Sequence, residues 1–174
     1  MQIFYASRDG QARRIAERLA ARFAERALVV VPQDLAGKPV PDGRDGIVVV
    51  VAAVRYGKHL PEAERFLGLY SRLAVPPPLV LLSVNLTARK PERRTAEEST
   101  YLRKTIRKHA LKPVLARALA GRLDYARYKW FDRQMIRFIM KLTGGPTDPS
   151  VCIEYTDWNE VDALAKRIAD ISPT

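Results

Sequence analysis

Ser7, Arg8, Asp9, Gly10, Gln11 and Ala12 follow directly on the apolar run Gln2–Ala6 and open a segment of helical periodicity. A tight strand-to-helix turn aims several backbone N–H groups at one point, and the helix dipole adds positive potential there. The chemistry it suits is the binding of a phosphomonoester. Ser7 supplies a hydroxyl donor, Gly10 lets the backbone come close, and Arg8 adds a full positive charge. The plain alternative is a strand–helix turn with no ligand. His59 is the residue whose ordinary titration range suits proton transfer, with a plain surface histidine as the alternative. No Ser-His-Asp set, metal-ligand cluster or paired acid–base carboxylates stands out, so no catalytic residue is assigned. The single cysteine, Cys152, excludes an internal disulfide and a cysteine-based metal site, and reads as a small buried strand residue.

The elements that must hold this loop alternate between strand and helix from the first residue. Gln2–Ala6, Ala27–Val31, Gly46–Ala53, Leu79–Val84, Pro113–Ala120 and Val151–Tyr155 are strand-like. Gly46–Ala53 is apolar at nearly every position, as a strand buried on both faces of a parallel sheet is. Helical periodicity covers Gly10–Arg26, where Ile15, Leu19 and Phe23 recur every four residues. It returns in a helix opened by Pro61, in the charged stretch Thr95–Ala110, and in Trp158–Ile171 behind an Asp157–Glu160 capping pair. This alternation predicts a parallel sheet with helices on both faces. In such a sheet, ligands sit beyond the carboxyl ends of the strands, at the switch point beside the first strand. The loops after Ala53 and after Ser83 share that edge with Ser7.

The chain has 174 residues, 47% of them hydrophobic and 28% charged, which suits one globular domain over 1–174. Residues 121–150 exceed the minimal unit and read as a helical insertion on that domain. No apolar stretch is long enough to span a membrane, and no basic leader precedes an apolar segment, so a cytoplasmic location is expected. Thirty Lys and Arg against nineteen Asp and Glu give a net charge of +11. Such an excess draws a protein to polyanions or acidic ligands. Arg89, Lys90, Arg93 and Arg94 form one cationic run, whose plain alternative is a solvated charge run. Lys129, Arg133, Arg137 and Lys141 recur every four residues beside Trp130, Phe131, Met135, Phe138, Ile139 and Leu142. A basic, aromatic amphipathic helix reads as an interfacial membrane element or as a lid over an apolar, acidic ligand. An ordinary surface helix is the alternative. No nucleic-acid motif accompanies the charge.

The Ser7-x-Asp9-Gly10-x-Ala12 loop resembles the FMN-phosphate loop of flavodoxins, with Asp9 and Ala12 where threonines are common. Ser7–Gln11, Arg55–Gly57, Ser83–Asn85 with Ala88–Glu92, Arg127–Arg133, Gly144–Gly145 and Tyr155–Trp158 run in order over almost the whole chain. Together they resemble the flavodoxin-like, menaquinone-dependent protoporphyrinogen IX dehydrogenase family. The resemblance implies an α/β, doubly wound, five-stranded parallel sheet in the order 2-1-3-4-5, with a long insertion near the last strand. It implies non-covalent FMN held by Ser7, Arg8, Asp9, Gly10, Gln11, Ala12, Ala53, Val54, Arg55, Tyr56, Gly57, Ser83, Val84, Asn85 and Leu86, with Tyr56 stacked on the ring. It implies six-electron oxidation of protoporphyrinogen IX to protoporphyrin IX, with electrons passed to a membrane quinone, menaquinone or ubiquinone. The substrate's two propionates call for cations, for which Arg55, Lys58, Arg89, Lys90, Lys129 and Arg133 are the candidates. An anionic membrane surface on the inner face of the plasma membrane is the expected partner of the insertion helix. Two other classes compete. A flavodoxin-type electron carrier is usually acidic around its flavin, against the charge seen here. An FMN-dependent NAD(P)H:quinone reductase would need a nicotinamide pocket, for which no motif is present.

Overall fold

The computed structural model describes residues 1–41, 46–127, 130–142 and 144–171. Strands β1 (Gln2–Ala6), β2 (Gln33–Asp34) and β3 (Val48–Arg55) alternate with helix α1 (Gln11–Ala24). Then come β4 (Lys58–His59), α2 (Pro61–Tyr70), β5 (Leu79–Asn85), α3 (Thr100–Lys108) and β6 (Leu115–Ala120). The chain continues through β7 (Arg122–Asp124), α4 (Trp130–Leu142), β8 (Cys152–Glu154) and α5 (Trp158–Ile171). Five strands pair in parallel in the order β2-β1-β3-β5-β6, which is the expected 2-1-3-4-5 arrangement counted along the parallel strands. In register, Ile3 lies beside Val49, Val49 beside Val80, and Val80 beside Leu115.

Alternate residues of these strands feed two cores. Ile3, Tyr5, Val49, Val51, Val80 and Leu82 pack under α1 and α5. Phe4, Ala6, Val48, Val50, Leu79 and Leu81 pack under α2 and α3. Each fully buried Val, Leu or Ile side chain contributes about 1.5–3 kcal/mol. Period-2 burial on both faces explains why these strands are apolar throughout. Arg18 grips Asp162 through two hydrogen bonds of 2.7 Å, tying α1 to α5. The loops at the carboxyl ends are therefore mounted on a rigid frame.

Three elements differ from the sequence reading. The second strand is not Ala27–Val31 but Gln33–Asp34. Leu28 and Val30 pack against the core while Val29 and Val31 face solvent, and Phe4 pairs with Gln33 beyond Pro32. The Val151–Tyr155 segment lies outside the main sheet. Its β8 pairs antiparallel with β7, setting Leu123 opposite Ile153. Cys152 is accordingly exposed rather than buried. Residues 58–59 also form a strand, closing a hairpin with the end of β3. Among the described residues, no helix is long and apolar enough to cross a membrane.

Candidate functional site

The loops after β1, β3 and β5, the β6–β7 junction and residues of α3 and α4 enclose a cleft at the carboxyl edge of the sheet. Of the residues expected there, Ser7, Asp9, Gln11, Ala12, Ala53, Val54, Arg55, Tyr56, Gly57, Val84, Asn85 and Leu86 line it. Arg8, Gly10 and Ser83 do not line it. Arg8 projects outward, 3.7 Å from Glu62. Ser83 is wholly buried behind the wall. The sequence reading missed Thr87, Tyr101, Gly121, Arg122 and Asp124, together with Met135, Ile136 and Ile139 from α4. Tyr101 had one available signal, being a lone aromatic within a charged helix. Met135 and Ile139 lie on the apolar face that the sequence reading gave to an interfacial element or a lid, but only the chain's return over the sheet edge brings them to this cleft.

The phosphate end is assembled locally. Gly10 caps α1 with φ of +88°, a left-handed conformation that glycine adopts without strain. No side chain caps the helix, so its first-turn N–H groups have no side-chain cap. Beside them the Ser7 hydroxyl is buried without a hydrogen-bond partner. A buried polar atom left unpaired costs about 1–3 kcal/mol, and a phosphate oxygen in this seat would satisfy it. These features fit the phosphate of FMN. Ala12 has its methyl in the core, under the loop. Gln11 turns its side-chain amide away from the loop, donating to Thr156 Oγ1 at 2.8 Å and to Glu154 Oε1 at 3.1 Å. It braces the loop against the segment that follows β8. Asp9 would repel a phosphate, but Arg55 donates to its carboxylate at 2.8 Å. Arg55 is therefore engaged in neutralising the loop, not free for a substrate carboxylate.

The ring end is framed by the β3–β4 hairpin. Arg55 pairs with Lys58, leaving Tyr56 and Gly57 as a two-residue turn. Both have positive φ, +52° and +76°. That is the backbone of the tight hairpin turn whose twist matches the strands. Tyr56 is strained there and its side chain is 53% exposed at the lip of the cleft. The guanidinium of Arg55 sits 5.8 Å from its ring centre. A planar ligand would cover this face.

His59 is not a surface histidine. It is 3% exposed, and burial pushes its pKa down to about 4 despite the nearby Glu64 carboxylate. It is neutral at pH 7. Its ring lies 2.8 Å from Thr105 Oγ1 and 2.9 Å from Ser83 Oγ.

The basic residues of the insertion behave differently from expectation. Arg133 donates to the Tyr125 carbonyl and Arg137 to the Thr147 carbonyl, stapling α4 to its own loops. Lys129 lies outside the described residues. Lys141 stays in solvent, and beside it large apolar side chains are exposed: Trp130, Phe131, Phe138 and Leu142 are 73%, 62%, 59% and 71% exposed. The opposite side buries Met140 against Leu123 and Tyr125. Arg94 is likewise structural, donating to Ala88 and Glu160. Arg89 donates to the Leu86 carbonyl. Lys58, Lys90 and Arg93 are exposed around the cleft.

Comparison with known proteins agrees with this architecture. Residues 2–150 match the flavodoxin domain family model. A protein named protoporphyrinogen IX dehydrogenase [quinone] from Escherichia coli (strain K12) is 37% identical, over 98% of this chain and 94% of its own. One of the same name from Leishmania major is 34% identical, over 96% of this chain and 73% of its own. Among solved structures, oxidised flavodoxin 1 from Bacillus cereus superposes with a TM-score of 0.59 at 9% identity, covering 97% of this chain and 96% of that one. A Streptococcus pneumonia flavodoxin gives 0.56 at 12% identity, covering 97% of each. The chain belongs to the flavodoxin-domain family and, within it, to the quinone-type protoporphyrinogen IX dehydrogenases.

Proposed function

We propose that this chain oxidises protoporphyrinogen IX to protoporphyrin IX with bound FMN and hands the electrons to a quinone. The observation that carries this reading is one cleft lined both by Ser7, whose buried hydroxyl lacks a partner, beside the start of α1 and by the apolar side chains Met135, Ile136 and Ile139. A plain phosphate site has no use for the second feature, whereas a flavin meeting a macrocycle and a quinone needs both. When bound, FMN supplies the two-electron redox chemistry.

The chain's own residues do the rest. Residues 1–174 act as one FMN-binding unit, with 121–150 as its insertion. Ser7 and the backbone from Asp9 to Ala12 hold the phosphate, Arg8 adds long-range attraction, and Arg55 keeps Asp9 neutralised. Ala53, Val54, Gly57, Val84, Asn85 and Leu86 wall the ring, and Tyr56 stacks on it. Lys90 and Arg93 line one pocket beside the cleft, and Lys58 and Lys104 line another. Tyr101 borders the cleft and both pockets. Two cationic pockets flanking one aromatic hinge suit a ligand with two carboxylates. The protein works at the cytoplasmic face of the plasma membrane. The exposed apolar face of α4 enters the interface while the basic surface meets anionic headgroups, each cation adding roughly 1 kcal/mol.

The test is anaerobic mixing of the FMN-loaded protein with protoporphyrinogen IX and a menaquinone analogue, followed by porphyrin fluorescence. Quinone-dependent porphyrin formation above the enzyme-free rate is the expected result. Bound FMN without porphyrin would overturn the reading in favour of a quinone reductase or an electron carrier. Replacing Lys90 and Arg93 by Ala should then raise KM for protoporphyrinogen with little change in kcat.

A further inference from the structure

A continuous hydrogen-bonded chain runs behind the cleft wall. Asn85 Nδ2 lies 3.1 Å from Ser83 Oγ, and Ser83 Oγ lies 2.9 Å from His59 Nε2. His59 Nδ1 lies 2.8 Å from Thr105 Oγ1, which donates to Glu64 Oε1 at 2.9 Å. Ser83, His59 and Thr105 are buried, so water does not scramble the order. We propose that His59 is a positioning residue: held as the Nδ1–H tautomer by Thr105 and Glu64, it fixes through Ser83 the amide of Asn85 that walls the FMN cleft.

The argument follows from groups that have no choice. At one end Glu64 is a carboxylate, which only accepts. Burial raises its pKa, but hydrogen bonds from Lys108, His109 and Thr105 outweigh this and hold it near 2. Thr105 spends its one proton on Glu64, so its oxygen must accept from His59 Nδ1–H. The neutral ring then has a bare Nε2, which must accept from Ser83. Ser83 has no proton left for Asn85 and accepts from Nδ2. At the other end, the backbone N–H of Ala88 only donates, and it meets Asn85 Oδ1 at 3.0 Å. Thr87 Oγ1 donates to the same oxygen at 2.7 Å. Both ends require the same amide orientation. The opposite tautomer would set the Nδ1 lone pair against the Thr105 oxygen and lose a buried hydrogen bond, a penalty that disfavours it by roughly tenfold or more. The dipole beside the ring is thus locked by a charge four groups away.

The inference rests on FMN occupying this cleft, and its test separates the two. Nitrogen-15 chemical shifts of His59 in the apoprotein read the tautomer without any cofactor. The expected result is a protonated Nδ1 and a bare Nε2. Thr105→Val keeps the side-chain shape but removes both links, and should release the Nε2–H form. Thr105→Ser should restore the native pattern. In the FMN-loaded protein, Thr105→Val should shift the flavin reduction potential, while Thr105→Ser and His59→Gln, which preserve the donor direction, should not. A protonated Nε2 in the native protein would overturn the assignment. An unmoved potential in a correctly folded Thr105→Val, despite an altered tautomer, would overturn the positioning role. Failure to bind FMN would remove the role at Asn85 and leave the tautomer assignment standing.

Discussion

Burial of His59 gives a stability profile with a definite sign. The ring has an ordinary pKa of 6.5 and a folded-state value of about 4, set first by burial and only partly countered by Glu64. Between these values the unfolded chain binds a proton that the folded chain refuses. Stability is therefore complete above pH 6.5 and falls as pH drops toward 4. At pH 5 the unfolded histidine is nearly all protonated and the folded one nearly all neutral, a loss of about 2 kcal/mol relative to pH 7.5. The full difference, reached near pH 4, is roughly 3 kcal/mol. Glu64 is shifted the same way, with its pKa depressed to about 2, so its own contribution is lost only as pH falls below 4.5. The groups facing the ring are Glu64 from α2, with Lys108 and His109 bound to it from α3, while Lys58, Lys104 and Tyr101 line the adjoining pocket.

Urea unfolding of the native protein and His59→Gln, from pH 7.5 down to pH 5, isolates the effect. Gln accepts from Ser83 and donates to Thr105 without titrating. Every other group titrates alike in both proteins and cancels in the difference. The native protein should lose about 2 kcal/mol more than the variant over that interval. Parallel profiles would mean that His59 charges in place, and the reasoning from burial would be refuted.

Ser7→Ala removes the one buried hydroxyl in the loop that lacks a partner. It should weaken FMN binding by about tenfold or more while leaving apoprotein stability unchanged or raised, because no internal hydrogen bond is lost. Flavin-fluorescence titration and thermal melts check both halves. Tyr56→Gly should relieve the strain of a left-handed tyrosine, stabilising the apoprotein by about 1 kcal/mol, and should reduce FMN affinity by removing the stacking ring. A lower apoprotein Tm would contradict it. Replacing Phe131 and Phe138 by Ser should abolish co-sedimentation with phosphatidylglycerol vesicles and leave the Tm in solution almost unmoved, since both side chains are exposed. Arg137→Gln should do the reverse, loosening α4 through the lost bond to the Thr147 carbonyl.

The parallel sheet was readable in the sequence because its strands are buried on both faces. Val48–Ala52 and Leu79–Leu82 leave no polar position to confuse the period. The tight turn from β1 into α1 was readable because it is local: Ser7 and Gly10 sit within one turn of α1. What escaped depended on distance along the chain. Val29 and Val31 look like strand residues, yet the edge strand is only two residues long and begins after Pro32. Arg133 and Arg137 look like a free basic stripe until the loop at Tyr125 and Thr147 returns to claim them. Arg55 looks like a carboxylate receptor until Asp9, 46 residues away, is found beside it. Charge type can be read from sequence; charge availability depends on which acceptors the fold delivers.

The β3–β4 hairpin joins the two halves of this site in five residues. Arg55 faces Asp9 in the phosphate loop, Tyr56 stands at the lip, and Gly57 completes the turn. Lys58 is exposed and His59 is buried against Ser83 and Thr105. Strand alternation forces this split, since successive side chains of β4 point to opposite faces. A two-residue turn with both φ positive fixes the register, so Tyr56 and His59 cannot move independently. Lengthening the turn by one residue would send His59 to solvent and Lys58 inward. The chain behind the wall and the ring at the lip would then fail together, although neither residue touches the other's partners. The strain stored at Tyr56 is thus the local cost of a register that serves both faces of the wall.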